Sequence, residues 1–197
     1  MPRLARGRDV ITQPLYDTVQ FGAAALTSGS FIKLFTVPQG QGTTAIGTAG
    51  SKVEADTNMT LGGQLPAPWG YRIMAIACQL DPQSTFADIN AAIASLSFRL
   101  TIGAKDWLTC PLSMLPAGGG ADGVSSLVAA SQSATTTTLR TGIADARAIY
   151  ALSRPLIINE QENFSCQITA GRGFTFSAAA QSWVRVILHG ELSRSIQ

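Results

Sequence analysis

The segment Trp183-Val184-Arg185-Val186-Ile187-Leu188-His189-Gly190-Glu191-Leu192 alternates with a period of two. Side chains of a strand point alternately to opposite faces. Val184, Val186, Leu188 and Leu192 therefore share one face, and Trp183, Arg185, Ile187, His189 and Glu191 share the other. A helix would scatter both sets around its axis, so this is a strand with one face for a core. The same period recurs where Leu96, Phe98, Leu100 and Ile102 alternate with Ser97, Arg99, Thr101 and Gly103. It recurs again where Phe164, Cys166 and Ile168 alternate with Ser165, Gln167 and Thr169. A chain dominated by this period has to bury sheet faces against one another.

Further strands are expected over residues 15–21, with Leu15, Val19 and Phe21 on one face, and over 31–37, ended by Pro38. Residues 71–80 form another, in which Arg72 interrupts a face of Met74, Ile76, Cys78 and Leu80. Residues 59–65 suggest a short strand, 107–112 an extended segment up to Pro111, and 149–158 a strand interrupted at Pro155. The period changes once. After Ser84 or Thr85 as N-cap, Ile89 and Ile93 stand four apart and are expected to face inward with Phe86, as in a short helix. Residues 39–51 and 116–123 read as Gly-rich loops. The stretch through the threonine run 135–138 reads as loop with one strand near 137–143. About eight to ten strands with one or two short helices and long loops make an antiparallel β-sandwich, because helical segments do not alternate with strands.

Charged residues make up only 13% of the 197 residues, against a usual level of about 25%, while apolar residues make up 46%. A free monomer so poor in charge is prone to self-association. Either much of the surface lies against other subunits, or it is the neutral Ser/Thr-rich surface of extracellular β proteins. No apolar run approaches the ~20 residues needed to cross a bilayer. The basic N-terminus has no apolar stretch behind it, which points to use in a cytoplasm or to release by lysis or assembly. Residues 1–14 read as an arm, with Arg3, Arg6 and Arg8 ahead of Pro14. Such an arm is either a solvated terminus or a contact to nucleic-acid phosphates, a membrane or a neighbouring subunit. The net charge of +2 argues against wholesale nucleic-acid binding by the folded body, residues 15–197.

Motifs for chemistry are sparse. Cys78, Cys110 and Cys166 are widely spaced within apolar patterns and read as buried free thiols; with one histidine, no metal site or cofactor is expected. His189 has Glu191 two residues on along the same face, a possible His–carboxylate pair that lacks an evident nucleophile. Residues 47–52 resemble a phosphate loop only loosely, because Ser51 precedes Lys52 and no helix follows. Nothing selects a pair among the scattered carboxylates. Trp69, Trp107 and Tyr150 could stack a ligand but read better as core or interface packing.

Three stretches carry a family resemblance: Leu61-Gly62-Gly63-Gln64-Leu65-Pro66-Ala67-Pro68 leading into Tyr71-Arg72-Ile73-Met74-Ala75-Ile76, the helical insertion near Asp88, and the ending Val184 to Leu192. Together they resemble a single jelly-roll capsid protein of a small tailless icosahedral bacterial virus, over most of the chain and without a signature motif. The resemblance implies one jelly roll of about eight strands and a non-enzymatic role as the major capsid subunit of an icosahedral shell. It implies partners that are copies of the chain and other virion proteins, with no small-molecule substrate. It also implies location in a virion assembled in a host cytoplasm, and an arm whose Arg3, Arg6 and Arg8 face the genome or an internal membrane. The loops 39–51 and 116–138 would cover neighbours or form the outer surface. Jelly rolls also serve as spikes, decoration or fibre proteins and carbohydrate-binding modules, where Trp69, Trp107 and Tyr150 would stack a ligand.

Overall fold

The last strand organises the first sheet. In the computed structural model, which describes residues 8–21, 26–42, 50–81, 86–115, 121–127, 135–141, 149–173 and 183–195, β11 (Trp183–Ser195) is thirteen residues long. Along one side of it β1 (Arg8–Thr12) and β2 (Leu15–Gln20) lie end to end, opposite Glu191–Ser195 and Trp183–Leu188. On its other side lies β4 (Gly70–Leu80), and beyond that β9 (Tyr150–Ile158). The second sheet has the order β3 (Phe31–Leu34), β10 (Phe164–Ala170), β5 (Leu96–Ile102), β6 (Lys105–Pro111). All these pairings are antiparallel. The expected all-β antiparallel sandwich is the fold observed.

Four of the pairings nest. β2 pairs β11, β3 pairs β10, β4 pairs β9 and β5 pairs β6, so the chain pairs first with last and works inward to its middle. From β2 onward the connections carry it from one sheet to the other, except at the β5–β6 turn, and the passage from β6 back to β9 runs through a separate two-stranded sheet. Val184, Val186, Leu188 and Leu192 of β11 are buried, as are Leu96, Phe98, Leu100 and Ile102 of β5 and Phe164, Cys166 and Ile168 of β10. They meet Leu15, Leu34, Ile73, Ile76 and Cys78 in one apolar cluster. Burying a side chain of this size contributes roughly 1.5–3 kcal/mol, which is why one-sided alternation dictates a two-sheet fold.

Several details depart from the sequence expectation. β3 stops at Leu34 because Phe35 takes a φ of +66°, which swings its ring against Phe164 at 5.5 Å between centroids. Residues 59–65 form a turn, not a strand. Gly63, at φ +69°, donates its N–H to the Phe35 carbonyl at 2.6 Å and accepts from the Phe164 N–H at 2.8 Å. In β4 a bulge at Met74 shifts the register against both β11 and β9, so Tyr71 and Ile73 share the core face with Ile76 and Cys78, while Met74 is exposed. α1 (Phe86–Ser95) buries Asp88 and Ala92 and leaves Ile93 exposed, since the small Ala92 permits the closer approach. The proposed caps Ser84 and Thr85 lie outside the described residues. The region expected as loop with one strand contains a hairpin, β7 (Ala121–Leu127) with β8 (Thr135–Thr141), seven residues on each side. Residues 8–12, placed in the arm by the sequence, form β1; Arg3 and Arg6 lie outside the described residues, and of Arg8 the backbone alone is described.

Candidate functional site

Catalytic chemistry was expected to be absent or centred on His189. The imidazole stands on the outer face of the first sheet, in register with Ala75. A register shift separates it from Gly190, and Glu191 beyond that shift pairs with Arg72 at 3.5 Å. His189 Nε2 is buried with no hydrogen-bond partner, so the acid–base relay considered from the sequence is not built. Burial pushes its pKa below the usual value. A histidine whose folded pKa is lowered gives stability that is complete above the unfolded value, roughly 6.5, and lost as pH falls through the folded one. Urea midpoints of the native chain should therefore drop as pH falls below about 6.5, and the His189→Gln profile should be flatter.

The three cysteines are free and buried. Desolvation pushes the Cys78 thiol up to about 12, with Cys110 adding to the shift, and raises Cys110 and Cys166 as well. These thiols are neutral and unreactive when folded. A thiol reagent at neutral pH should label the native chain slowly and all three cysteines within minutes in urea; fast labelling of Cys78 or Cys166 in the native state would contradict this packing. Among the described residues no group of three or more His, Cys, Asp or Glu could hold a metal, and no helix is long and apolar enough to cross a membrane.

One polar constellation was not legible as a site. Asp17 stands on the core face of β2, in phase with Leu15, and is wholly buried. Its Oδ1 accepts from Lys52 Nζ at 2.6 Å, and its Oδ2 accepts from the Phe35 N–H at 2.6 Å. Desolvation raises the Asp17 carboxyl pKa, and Lys52 works against that rise. Lys52 belongs to the long β3–β4 connection, whose following residues clamp the free edge of β2. Asp17 bridges Thr57, the Tyr16 N–H donates to Asn58 Oδ1 at 3.0 Å, and the Tyr16 hydroxyl donates to the Glu54 carbonyl at 2.6 Å. Arg185 adds a bond from Nη2 to the Ala55 carbonyl at 2.8 Å. An edge strand covered in this way cannot pair with a foreign strand. The available signal was a carboxylate in phase with an apolar strand face.

A groove of about 410 Å³ crosses the outer face of the first sheet near one end. In register, Val10 of β1 faces Ser193 of β11, which faces Gly70 of β4. The two small residues make the floor, Val10 one wall, and Ile157 with Trp69 the other. The neighbouring row, Thr12, Glu191, Arg72 and Ile157, places the Glu191–Arg72 pair at its side, and Glu160 stands at the rim. Val10 is 56% exposed and Ile157 63%.

The outer face of the second sheet is different. Its rows read Phe31, Thr169, Ser97, Pro111, then Lys33, Gln167, Arg99, Thr109, then Ser165, Thr101, Asp106. This face is mostly polar, with Phe31 57% exposed at its β3 edge. At its β6 edge, a register shift in the β5–β6 pairing leaves Trp107 without a cross-strand partner and 51% exposed. Trp69, Trp107 and Tyr150 therefore form no common platform: Trp69 lines the groove, Trp107 stands on the other sheet, and Tyr150 packs half-buried on the core. The sequence matches no protein-family model and no curated protein.

Proposed function

We propose that this chain is a virion structural protein, the major capsid subunit of an icosahedral shell, with its sandwich wound as a single jelly roll. The observation that carries the reading is the nesting of β2–β11, β3–β10, β4–β9 and β5–β6 across a five-stranded and a four-stranded layer. A two-stranded ribbon wrapped over itself produces that order, and double-sheet rolls of this kind build capsids and lectin domains alike. Three further features favour the capsid role. Charge is scarce at 13%, large apolar residues stand exposed on both sheets, and neither His189 nor the cysteines are set up for chemistry. Shell subunits need wide lateral contacts that close under symmetry. β1 lies at the edge of the first sheet, and the arm, through Arg3, Arg6 and Arg8, would meet the genome or an internal membrane.

Negative-stain microscopy and light scattering of the purified chain test the reading. Closed particles or rings are expected, and a monomer at high concentration overturns it. The groove beside Trp69 favours a second reading, a spike, decoration or carbohydrate-binding module. Glycan binding lost on Trp69→Ala, in a protein that forms no shell, would support that one instead.

A further inference from the structure

We propose that the groove on the first sheet receives Trp107 of a second copy of the chain, with Lys105 of that copy set against Glu160. The contact rests on the shell-subunit reading and gives it a specific interface. Val10 and Ile157, the apolar walls of the groove, are 56% and 63% exposed, so it is an open trough and not an enclosed cavity. It suits a side chain carried in on a partner surface.

The chain itself offers such a side chain. Trp107 projects from an edge strand with Lys105 Nζ 5.7 Å from its ring centroid, so the knob is an aromatic ring beside a positive charge. Among the described residues no carboxylate lies within ion-pair distance of Lys105 or cation within that distance of Glu160. Glu191 at the groove is already matched by Arg72, so Glu160 leaves the rim net negative. Apolar walls with an acidic rim thus face an aromatic knob with a basic flank.

Position selects this knob over Phe31, the other exposed aromatic among the described residues. The groove lies where β4 begins and β9 ends, the end at which residues 159–163 cross to β10. The β5–β6 turn joins the same end, because the Gly103 N–H donates to the Asn163 carbonyl at 2.7 Å. Trp107 is close to that turn, whereas Phe31 pairs with Thr169 in the row that ends at Pro111, at the opposite end. Rotation about an axis preserves height along it. In a ring whose axis runs along the strands, a knob and a groove at one end meet, and a knob at the other end does not. Knob and groove are different patches, so the contact is heterologous, and it forms rings where the rotation it imposes closes.

The experiment uses the full chain in four single variants and one double variant, with circular dichroism confirming that each folds. Trp107→Ser and Ile157→Asp change exposed side chains, and each is expected to weaken self-association at least about thirtyfold, the size of a buried aromatic hot spot. Each variant alone should sediment as a monomer. Their equimolar mixture should form dimers, since one partner keeps the knob and the other keeps the groove. Lys105→Glu and Glu160→Lys should each weaken assembly, and the double exchange should restore it. Native-size particles from Trp107→Ser or Ile157→Asp overturn the contact while leaving the shell reading intact, as does a double exchange no better than its singles. A foreign apolar molecule retained in the groove, seen by native mass spectrometry, also overturns it. A wild-type chain that never associates removes the shell reading and the contact together.

Discussion

Replacing Lys52 with methionine should cost about 3–5 kcal/mol of stability, the usual penalty for leaving a buried charge without its partner. Asp17 is wholly buried, and its Oδ1 meets Lys52 at 2.6 Å. Without the ammonium, the carboxylate keeps the Phe35 N–H and loses its counter-charge. For a chain of this length a melting temperature shifts by roughly 2–4 °C per kcal/mol, so a fall on the order of 10 °C is expected. The double variant Asp17→Asn with Lys52→Met removes both charges, keeps an acceptor for Phe35, and should recover most of the loss. The deficit should also depend on pH. Burial already raises the Asp17 carboxyl pKa in the presence of Lys52, and removing Lys52 raises it further. A carboxyl raised on folding favours the folded state below its unfolded value, and that favour is lost as pH rises through the folded value. The Lys52→Met deficit should therefore be smaller near pH 4 than near pH 7. Urea midpoints equal to wild type at both pH values would show that the pair does not pin the loop.

What could be read in advance follows from how local the controlling physics is. β5 and β10 keep an unbroken period of two from end to end, and their burial alternates as that period requires. β4 looks as regular in sequence, yet one bulged residue, Met74, moves every earlier side chain to the other face. Period counting cannot see an inserted residue, and Met74 therefore had no reason to read as exposed. The hairpin of β7 and β8 was hidden for a related reason: Gly123, Ser125 and Ser126 dilute any apolar alternation. The Asp17–Lys52 pair joins residues 35 apart, and Lys52 sat in a segment whose nearest local likeness was a phosphate loop. Its actual role depends on the turn at Phe35 and the clamp on β2. The groove is further still from view, since Val10, Gly70, Ile157 and Ser193 come from four strands and meet only through register. Arg72 and Glu191 were visible as polar breaks, but nothing local paired them.

The same dependence on register makes Gly190 the least replaceable glycine in the described sheets. It lies at the register shift between β11 and β4, where a Cβ would fall inside the carbonyl group of Arg72 and 3.1 Å from Tyr71 Cε1. The blocking atoms are backbone, so no rotamer change relieves the overlap. The strands must separate, and Tyr71 must move with them. Tyr71 is 1% exposed, and its hydroxyl donates toward the carbonyls of Gln13, at 2.8 Å, and Leu188, at 2.7 Å. Those two bonds tie the β1–β2 junction to β11, so the disturbance reaches three strands and the floor of the groove. Gly190→Ala is expected to cost about 3 kcal/mol or more, above the usual range for overpacking because backbone pairing is lost as well. Gly50→Ala is the control. No atom lies within 4 Å of its Cβ position and its φ is not in the left-handed region, so the change should be neutral or stabilising by about 0.4–1 kcal/mol. Soluble yield and urea midpoints of the two variants separate the cases. If Gly190→Ala unfolds at the same urea concentration as Gly50→Ala, the bulge does not hold β4 and β11 in the register that shapes both the core and the groove.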